Sequence, residues 1–474
     1  MAMMLDPSTT AGEPDRNPPA DRAPVDEHPG LPMPRRWWAI VAAGFGTSLL
    51  VIDGAIANVA LPTIARDLGV TNGVVTSVVT VYQLVLVMLL LPFASLGDRI
   101  GHRTIFQYGQ LLFMIASALC LLADNLVVLL ALRALQAIGA AMALSVLAAL
   151  LRQIYPARSL GAGLGINSVI VASSGALAPT LGGYIVGHFE WQIVFVAAAP
   201  FAIVSLLLGR ALPDPEPRDV AVQWVSGGWS ALTMLLVIGG LQMGAHGWVA
   251  PGVALALTGG VSAWLLVRRE RGRAEPVLPV DLLETPALGL SVLAAMAGFV
   301  AAGILLLALP FQLEEGMGYA PQMVGLLLLP FPLTMLVIAP LAGWLSDRIA
   351  PTKLGVTGMA IVITGLVLLA TMPEVPGEWG IAWRLSLTAL GFGLFFSPNS
   401  RLVIGRAPRN RAAAAGGLLS TSRLLGQTMG AVAVGLLLAA GLGMGVGPFA
   451  VSCVLALVAA LASLVRYSYR PSAS

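Results

Sequence analysis

The sequence predicts an all-α membrane protein: two six-helix bundles related by a pseudo-two-fold axis along the membrane normal, plus two inserted helices, fourteen transmembrane helices in all. Three observations lead there. The 474 residues are 57% hydrophobic and only 10% charged, with mean hydropathy +0.87. Soluble domains run near about 25% charged, so the bilayer must be the solvent. The apolar residues also fall into fourteen runs, each long enough for the roughly 20 residues of one crossing. Finally, a polar turn recurs. Ala94-Ser-Leu-Gly-Asp-Arg-Ile-Gly-His-Arg103 returns as Gly343-Trp-Leu-Ser-Asp-Arg-Ile-Ala-Pro-Thr-Lys353, with Leu96, Asp98, Arg99 and Ile100 repeated as Leu345, Asp347, Arg348 and Ile349.

Residues 1–36, rich in Pro, Asp, Ala and Arg, read as a disordered cytoplasmic tail. No signal peptide precedes the first apolar run. The N-terminal bundle, 37–212, carries spans near 37–60, 74–96, 104–123, 126–151, 161–187 and 191–212. Segment 213–280 opens on a Pro-rich polar break, holds two spans near 226–245 and 248–267, and continues as a basic linker through Arg268 to Arg273. The C-terminal bundle, 281–466, carries spans near 287–311, 321–345, 353–372, 382–405, 412–439 and 445–466, and 467–474 form a second cytoplasmic tail.

Charge tests the count. With the first tail inside, the inner gaps collect Arg99, Arg103, Arg152, Arg158, Arg268, Arg269, Arg348, Lys353, Arg406 and Arg411. The outer gaps hold Arg66 and Arg384 among Asp67, Asp124, Glu190, Glu314, Glu315, Glu374 and Glu378. This is the positive-inside bias, which a miscount by one helix would scramble. Both termini are therefore expected in the cytoplasm, and the protein in the cytoplasmic membrane.

Asp98 and Asp347 stand 249 residues apart, and Gly69 and Gly318 keep that offset. Equivalent turns after the second and tenth spans, on the same side, mean parallel repeats. Alternating-access carriers share this organisation, with the substrate site between the halves near the midplane.

The 94–103 turn resembles the cytoplasmic loop motif of the major facilitator superfamily, departing from it at Ala94 and His102. Four further stretches are similar to its fourteen-helix drug:proton antiporter branch: Ile52 to Pro62, Leu132 to Gly139, Ser174 to Gly183 (with Ala178 where the central Gly is usual) and Gly318 to Pro330. The run Arg409 to Gly430 also fits. The resemblance spans roughly 37–466. It implies proton-driven export of lipophilic, often cationic, drugs or antiseptics by alternating access, with small molecules, protons and membrane lipids as partners, a monomer as the working unit, and a proton gradient in place of any cofactor.

Asp53, well inside the first span, carries the sharpest chemical signal. An acid at a helix centre costs about 2.5–3.5 kcal/mol to insert, so it should face a cavity or a partner. It is the proton-coupling candidate, with a structural acid as the rival reading. Arg133, midway along the fourth span, is expected beside the proton path, with Gln136 one turn away. Asn58, Gln83 and Arg423, polar residues in apolar runs, join Asp53 and Gln136 as cavity candidates. Ser174, Gly175, Gly182 and Gly183 allow close helix approach and Pro179 permits a bend, together a hinge. In the loop motif, Asp98, Arg99, Gly101 and Arg103 are gate candidates, with Asp347 and Arg348 in the second copy. Since Gly101 and Arg103 give way to Ala350 and Thr352–Lys353, the first copy is expected to be the working latch and the second a weakened one.

Glu314 and Glu315 read as a solvated helix end, or as a vestibule attracting cations. Trp37, Trp38 and Trp191 read as interface anchors, and Cys120 and Cys453 as small apolar residues. No nucleotide-binding Gly-Lys-Ser/Thr loop, His/Cys metal cluster or nucleophile elbow is present, and the small net charge of +3 gives no reason to expect nucleic acid. An enzyme is not expected. Two other functions fit the same residues: export of one endogenous metabolite, antibiotic or lipid, and a non-transporting membrane sensor on this scaffold.

Overall fold

The computed structural model describes residues 30–156, 160–213, 224–245, 247–271, 280–373, 376–406 and 412–468. The expected disordered stretch before residue 30, all but Pro213 of the polar break, Gly272 and Arg273 of the basic linker, and the second tail from residue 469 lie outside them.

Each expected run is a helix long and apolar enough to cross a membrane. The first six are α1 (Arg35–Asp67), α2 (Asn72–Ile100), α3 (His102–Leu122), α4 (Leu126–Ile154), α5 (Val169–His188) and α6 (Trp191–Ala211). The inserted pair is α7 (Val225–Gly244) and α8 (Val249–Glu270). The last six are α9 (Pro286–Gly316), α10 (Pro321–Leu345), α11 (Pro351–Ala370), α12 (Gly377–Arg406), α13 (Ala415–Ala439) and α14 (Val446–Tyr467). Several helices outrun their apolar stretches, α2 to Ile100 and α12 from Gly377 among them, and two further extensions shape one end of the molecule. Helix α1, expected to stop near residue 60, continues through Pro62 to Asp67, as membrane helices tolerate an internal proline. Helix α9 runs past Phe311 into a π-helical turn, Gln312–Gly316. Both extensions reach the end of the molecule opposite the loop-motif turns, here the far end; the loop-motif turns and the described chain ends mark the motif end.

The two-fold relation is visible in the packing. Helix α1 packs on α5 and α6, α2 on α4, and α3 on α4. One repeat later, α9 packs on α13 and α14, α10 on α12, and α11 on α12. Small residues set the closest crossings. A Cβ on Gly139 would lie 2.5 Å from the carbonyl oxygen of Gly109, and one on Gly358 would lie 2.7 Å from that of Gly391. Gly109 and Gly358 are again 249 residues apart, so the same α3–α4 contact is rebuilt between α11 and α12. In a bilayer, close backbone approach replaces the hydrophobic drive between helices. Gly69 and Gly318 both adopt positive φ, +63° and +74°, in corresponding far-end turns.

Across the halves, α5 meets α10, α2 meets α13, and α1 meets α9. The first two crossings are images of each other. Helices α7 and α8 pack together, and α7 lies against α2 and α13. Helix α8 turns Val253, Leu257, Val261 and Trp264 outward, an apolar face suited to a membrane interior. The inserted pair therefore flanks one seam between the bundles.

Candidate functional site

Helix α4 brings Arg133 inward to face Asp53 of α1. Arg133 Nη1 donates to Asp53 Oδ1 at 3.0 Å and lies 3.1 Å from Oδ2. It also donates to Gln136 Oε1 at 2.7 Å, and Gln136 Nε2 donates to Ser117 Oγ on α3 at 2.7 Å. The guanidinium carbon lies 4.1 Å from the centre of the Tyr82 ring and 5.0 Å from that of Phe195. Asp53, Gln136 and Ser117 are wholly buried and Arg133 is 1% exposed. The arrangement follows from helix spacing: Arg133 and Gln136, three apart, share a face. An ion pair this deep is tolerated because both charges are hydrogen-bonded and flanked by aromatic faces. The partners Tyr82, Ser117 and Phe195 were not singled out in the sequence; a Tyr and a Ser inside otherwise apolar runs were the only signal.

Beside this pair lies a cavity of about 620 Å³ between the halves, within the size range of drug-sized sites. Its wall is mostly aliphatic, with Phe299 and Phe331 from the second half; Phe299 stacks on Phe396 at 4.2 Å. Asn58, Gln83 and Arg423, expected here, line it, as do Tyr82, Asn167 and Gln427. Asp53 and Gln136, also expected in its wall, do not line it. Each is turned into the bundle, where Arg133 supplies the partner the cavity would otherwise have had to provide. Gln427, four residues after Arg423, was legible as the next polar position on that face.

Beyond the cavity the far end is shut. Arg66 donates to Glu314, as does Thr63 Oγ1 at 3.2 Å, and Asn72 donates to Glu315. Glu314 is therefore no solvated helix end: its side chain is 3% exposed and paired across the halves. The extensions of α1 and α9 bring these groups together. Trp191, expected at a lipid interface, is also buried, and its Nε1 donates to Asp67 Oδ2 at 2.8 Å. Trp37 and Trp38 are more than half exposed, as an interface position requires. The two symmetric crossings complete the seal. A Cβ on Gly183 would lie 2.5 Å from Pro321 O and 3.0 Å from Gly325 Cα; one on Gly435 would lie 2.6 Å from Thr76 Oγ1.

The sequence model of the Major Facilitator Superfamily matches residues 43–431 and, in a second match, 291–474. The chain belongs to the Major Facilitator Superfamily. Among curated relatives, the uncharacterized transporter YebQ of Escherichia coli is 42% identical over 86% of this chain and 90% of its own. The multidrug efflux pump LfrA of Mycolicibacterium smegmatis is 29% identical over 85% of this chain and 80% of its own. The riboflavin transporter RibZ of Clostridioides difficile is 27% identical over 84% and 87%. Among solved structures, an inward-facing bacterial homologue of the lysosomal transporter Spinster superposes with TM-score 0.68 at 17% identity, covering 94% of this chain and all of that one. The protein is thus a multi-pass transporter of the superfamily.

The superfamily's loop motif sits at the motif end in both halves, with different partners in each. In the first copy, Asp98 at the end of α2 accepts from His102 Nε2 at the start of α3 at 2.9 Å, while Gln153 Nε2 of α4 donates to the other ring nitrogen at 3.1 Å. In the second copy, Asp347 pairs with Arg401 of α12, which also donates to Ser346 Oγ at 3.0 Å, and Arg348 covers Trp344 at 4.0 Å. Both copies tie neighbouring helices: the first joins α2, α3 and α4 through Asp98, His102 and Gln153, and the second joins the turn after α10 to α12 through Asp347 and Arg401. The residue corresponding to Arg401 is Arg152, but His102 captures Asp98 instead. Gly101 differs from Ala350 in backbone too: its φ is +111° against −51°, so only the first turn requires glycine. Arg99 is exposed and Arg103 half-buried at this end.

The antiporter-motif residues spread along α5. Ser174 Oγ donates to Ser48 Oγ at 2.9 Å, Gly175 and Pro179 line the cavity, Gly182 lies on Ile56 of α1, and Gly183 on α10. Helix α5 thus touches α1, the cavity and the opposite half in succession. Because Gly183 is in backbone contact, Gly183→Val should wedge the far end open, at a cost of about 1–3 kcal/mol to the closed state. The expected outcome is faster labelling of a cysteine placed at Asn58 by a reagent added from the far side, with most transport lost and the protein still folded.

Proposed function

We propose that this chain is a proton-coupled antiporter that exports lipophilic small molecules across the cytoplasmic membrane by alternating access, working as a monomer with its motif end and both termini in the cytoplasm. The observation that carries this reading is the Asp53–Arg133 pair: a buried titratable group lies next to a drug-sized cavity between two symmetric halves. The carboxyl takes a proton from one side and yields it on the other as its contact with Arg133 breaks and re-forms. The arginine-rich motif end supports the orientation, and LfrA supports the cargo class by similarity. One proton moving down 100 mV supplies about 2.3 kcal/mol, which needs no further cofactor.

The test is dye retention in bacteria lacking their own pumps, using fluorescein and a rhodamine ester. Cells making the protein should retain less of at least one dye. A protonophore should abolish the difference, and neither dye should be cleared by Asp53→Asn. Unchanged clearance under the protonophore would exclude proton coupling.

A further inference from the structure

Charge around the cavity is unevenly matched. Asp53 is held by Arg133, and Glu314 by Arg66 and Thr63. Arg466 on α14 is buried too, but donates to Ser291 Oγ and Asn399 Oδ1 at 2.9 and 2.7 Å. Arg423 differs from all of them. It lies in the cavity wall on α13 and makes no hydrogen bond or ion pair with any described residue. The other polar residues of that wall, Asn58, Gln83, Asn167 and Gln427 among them, are neutral, and among the described residues no Asp or Glu lines the cavity. A lone guanidinium in such a setting needs an acceptor.

From this we infer that the cargo presents an anionic group to Arg423: an amphipathic acid, such as a carboxylate, phenolate or enolate on an aromatic body, rather than a lipophilic cation. The inference rests on the transport reading and narrows its lipophilic cargo to acids, against the cationic class that the family resemblance implies. The geometry fits a two-part ligand. Arg423 and Gln427, one turn apart, offer donors from α13, Asn58 and Gln83 offer amides from the first half, and Phe299 and Phe331 offer apolar faces. A cationic drug would find no carboxylate in the wall and would meet Arg423 as a like charge. An acid would complete the set that the protein leaves open.

Fluorescein and a rhodamine ester share one xanthene skeleton and carry opposite charge, so they isolate this feature. Binding is read by fluorescence anisotropy on purified protein in nanodiscs, against empty nanodiscs. The parent should bind fluorescein at least about 10-fold more tightly than the rhodamine ester. Arg423→Lys should keep the preference, Arg423→Gln should remove it, and Arg423→Glu should reverse it. Equal or tighter binding of the rhodamine ester to the parent would overturn the inference while leaving transport intact, and that comparison needs no variant to fold. Preference surviving in folded Arg423→Gln would overturn it as well. Binding of neither dye above empty nanodiscs would remove the cavity as a cargo site, and the transport reading of it with the inference.

Discussion

Asp53→Asn should abolish concentrative transport while leaving a folded protein. The amide is nearly isosteric with the carboxyl and its oxygen still accepts from Arg133 Nη1, so the helix contact survives. What goes is the titratable group. Arg133 keeps Gln136 and the faces of Tyr82 and Phe195, which limits the stability loss to about 1.5–3 kcal/mol, the worth of one hydrogen bond to a charged group. Transport loses its energy source outright. One proton at 100 mV supports roughly a 50-fold gradient, at 2.3 kcal/mol per charge. Dye accumulation in Asp53→Asn cells should therefore rise to that of cells without the protein, and the purified variant should still run as a monodisperse species.

Arg133→Ala should be the more damaging change. It strands a carboxylate that is wholly buried, and breaking a buried pair from one side costs about 3–5 kcal/mol. Without its partner the carboxyl also loses the contact that coupling depends on. Thermal unfolding in nanodiscs should therefore come at a lower temperature in Arg133→Ala than in Asp53→Asn. The double variant Asp53→Asn with Arg133→Gln removes both charges and keeps two hydrogen-bonding amides. It should recover most of the lost stability and none of the transport. Little stability loss in either single variant would mean the pair is solvated, against its observed burial.

Helix existence was legible because apolar runs of membrane length have few alternatives, and the repeated turn fixed which helices correspond. Asp53 and Arg133 stood out because ionised groups are expensive in that solvent, so any present needs a reason. Their direct contact was not legible: nothing in one sequence says that residues 80 apart meet. The Arg66–Glu314 contact was hidden twice over. Its partners are nearly 250 residues apart, and each sits on a helical extension that Pro62 and the polar Gln312–Gly316 turn argue against. The partners of the two loop aspartates were not legible either: Asp98 meets His102 and Asp347 meets Arg401, and composition alone does not say which nearby side chain reaches each carboxylate. Cavity membership failed for Asp53 and Gln136 for a related reason: polar residues in a membrane helix need either water or a partner, and sequence alone does not say which.

The central claim is exchange of a proton at Asp53 for cargo, and proteoliposomes carrying a pH-sensitive dye in their lumen measure it most directly. After an inward proton gradient is imposed, adding the tighter-binding xanthene dye to liposomes preloaded with it should be unnecessary: the preloaded dye should leave as lumenal pH falls, in parent liposomes only. Asp53→Asn liposomes should show neither movement. Dye efflux of equal rate in parent and Asp53→Asn, or efflux from the parent without any proton entering, would contradict the account.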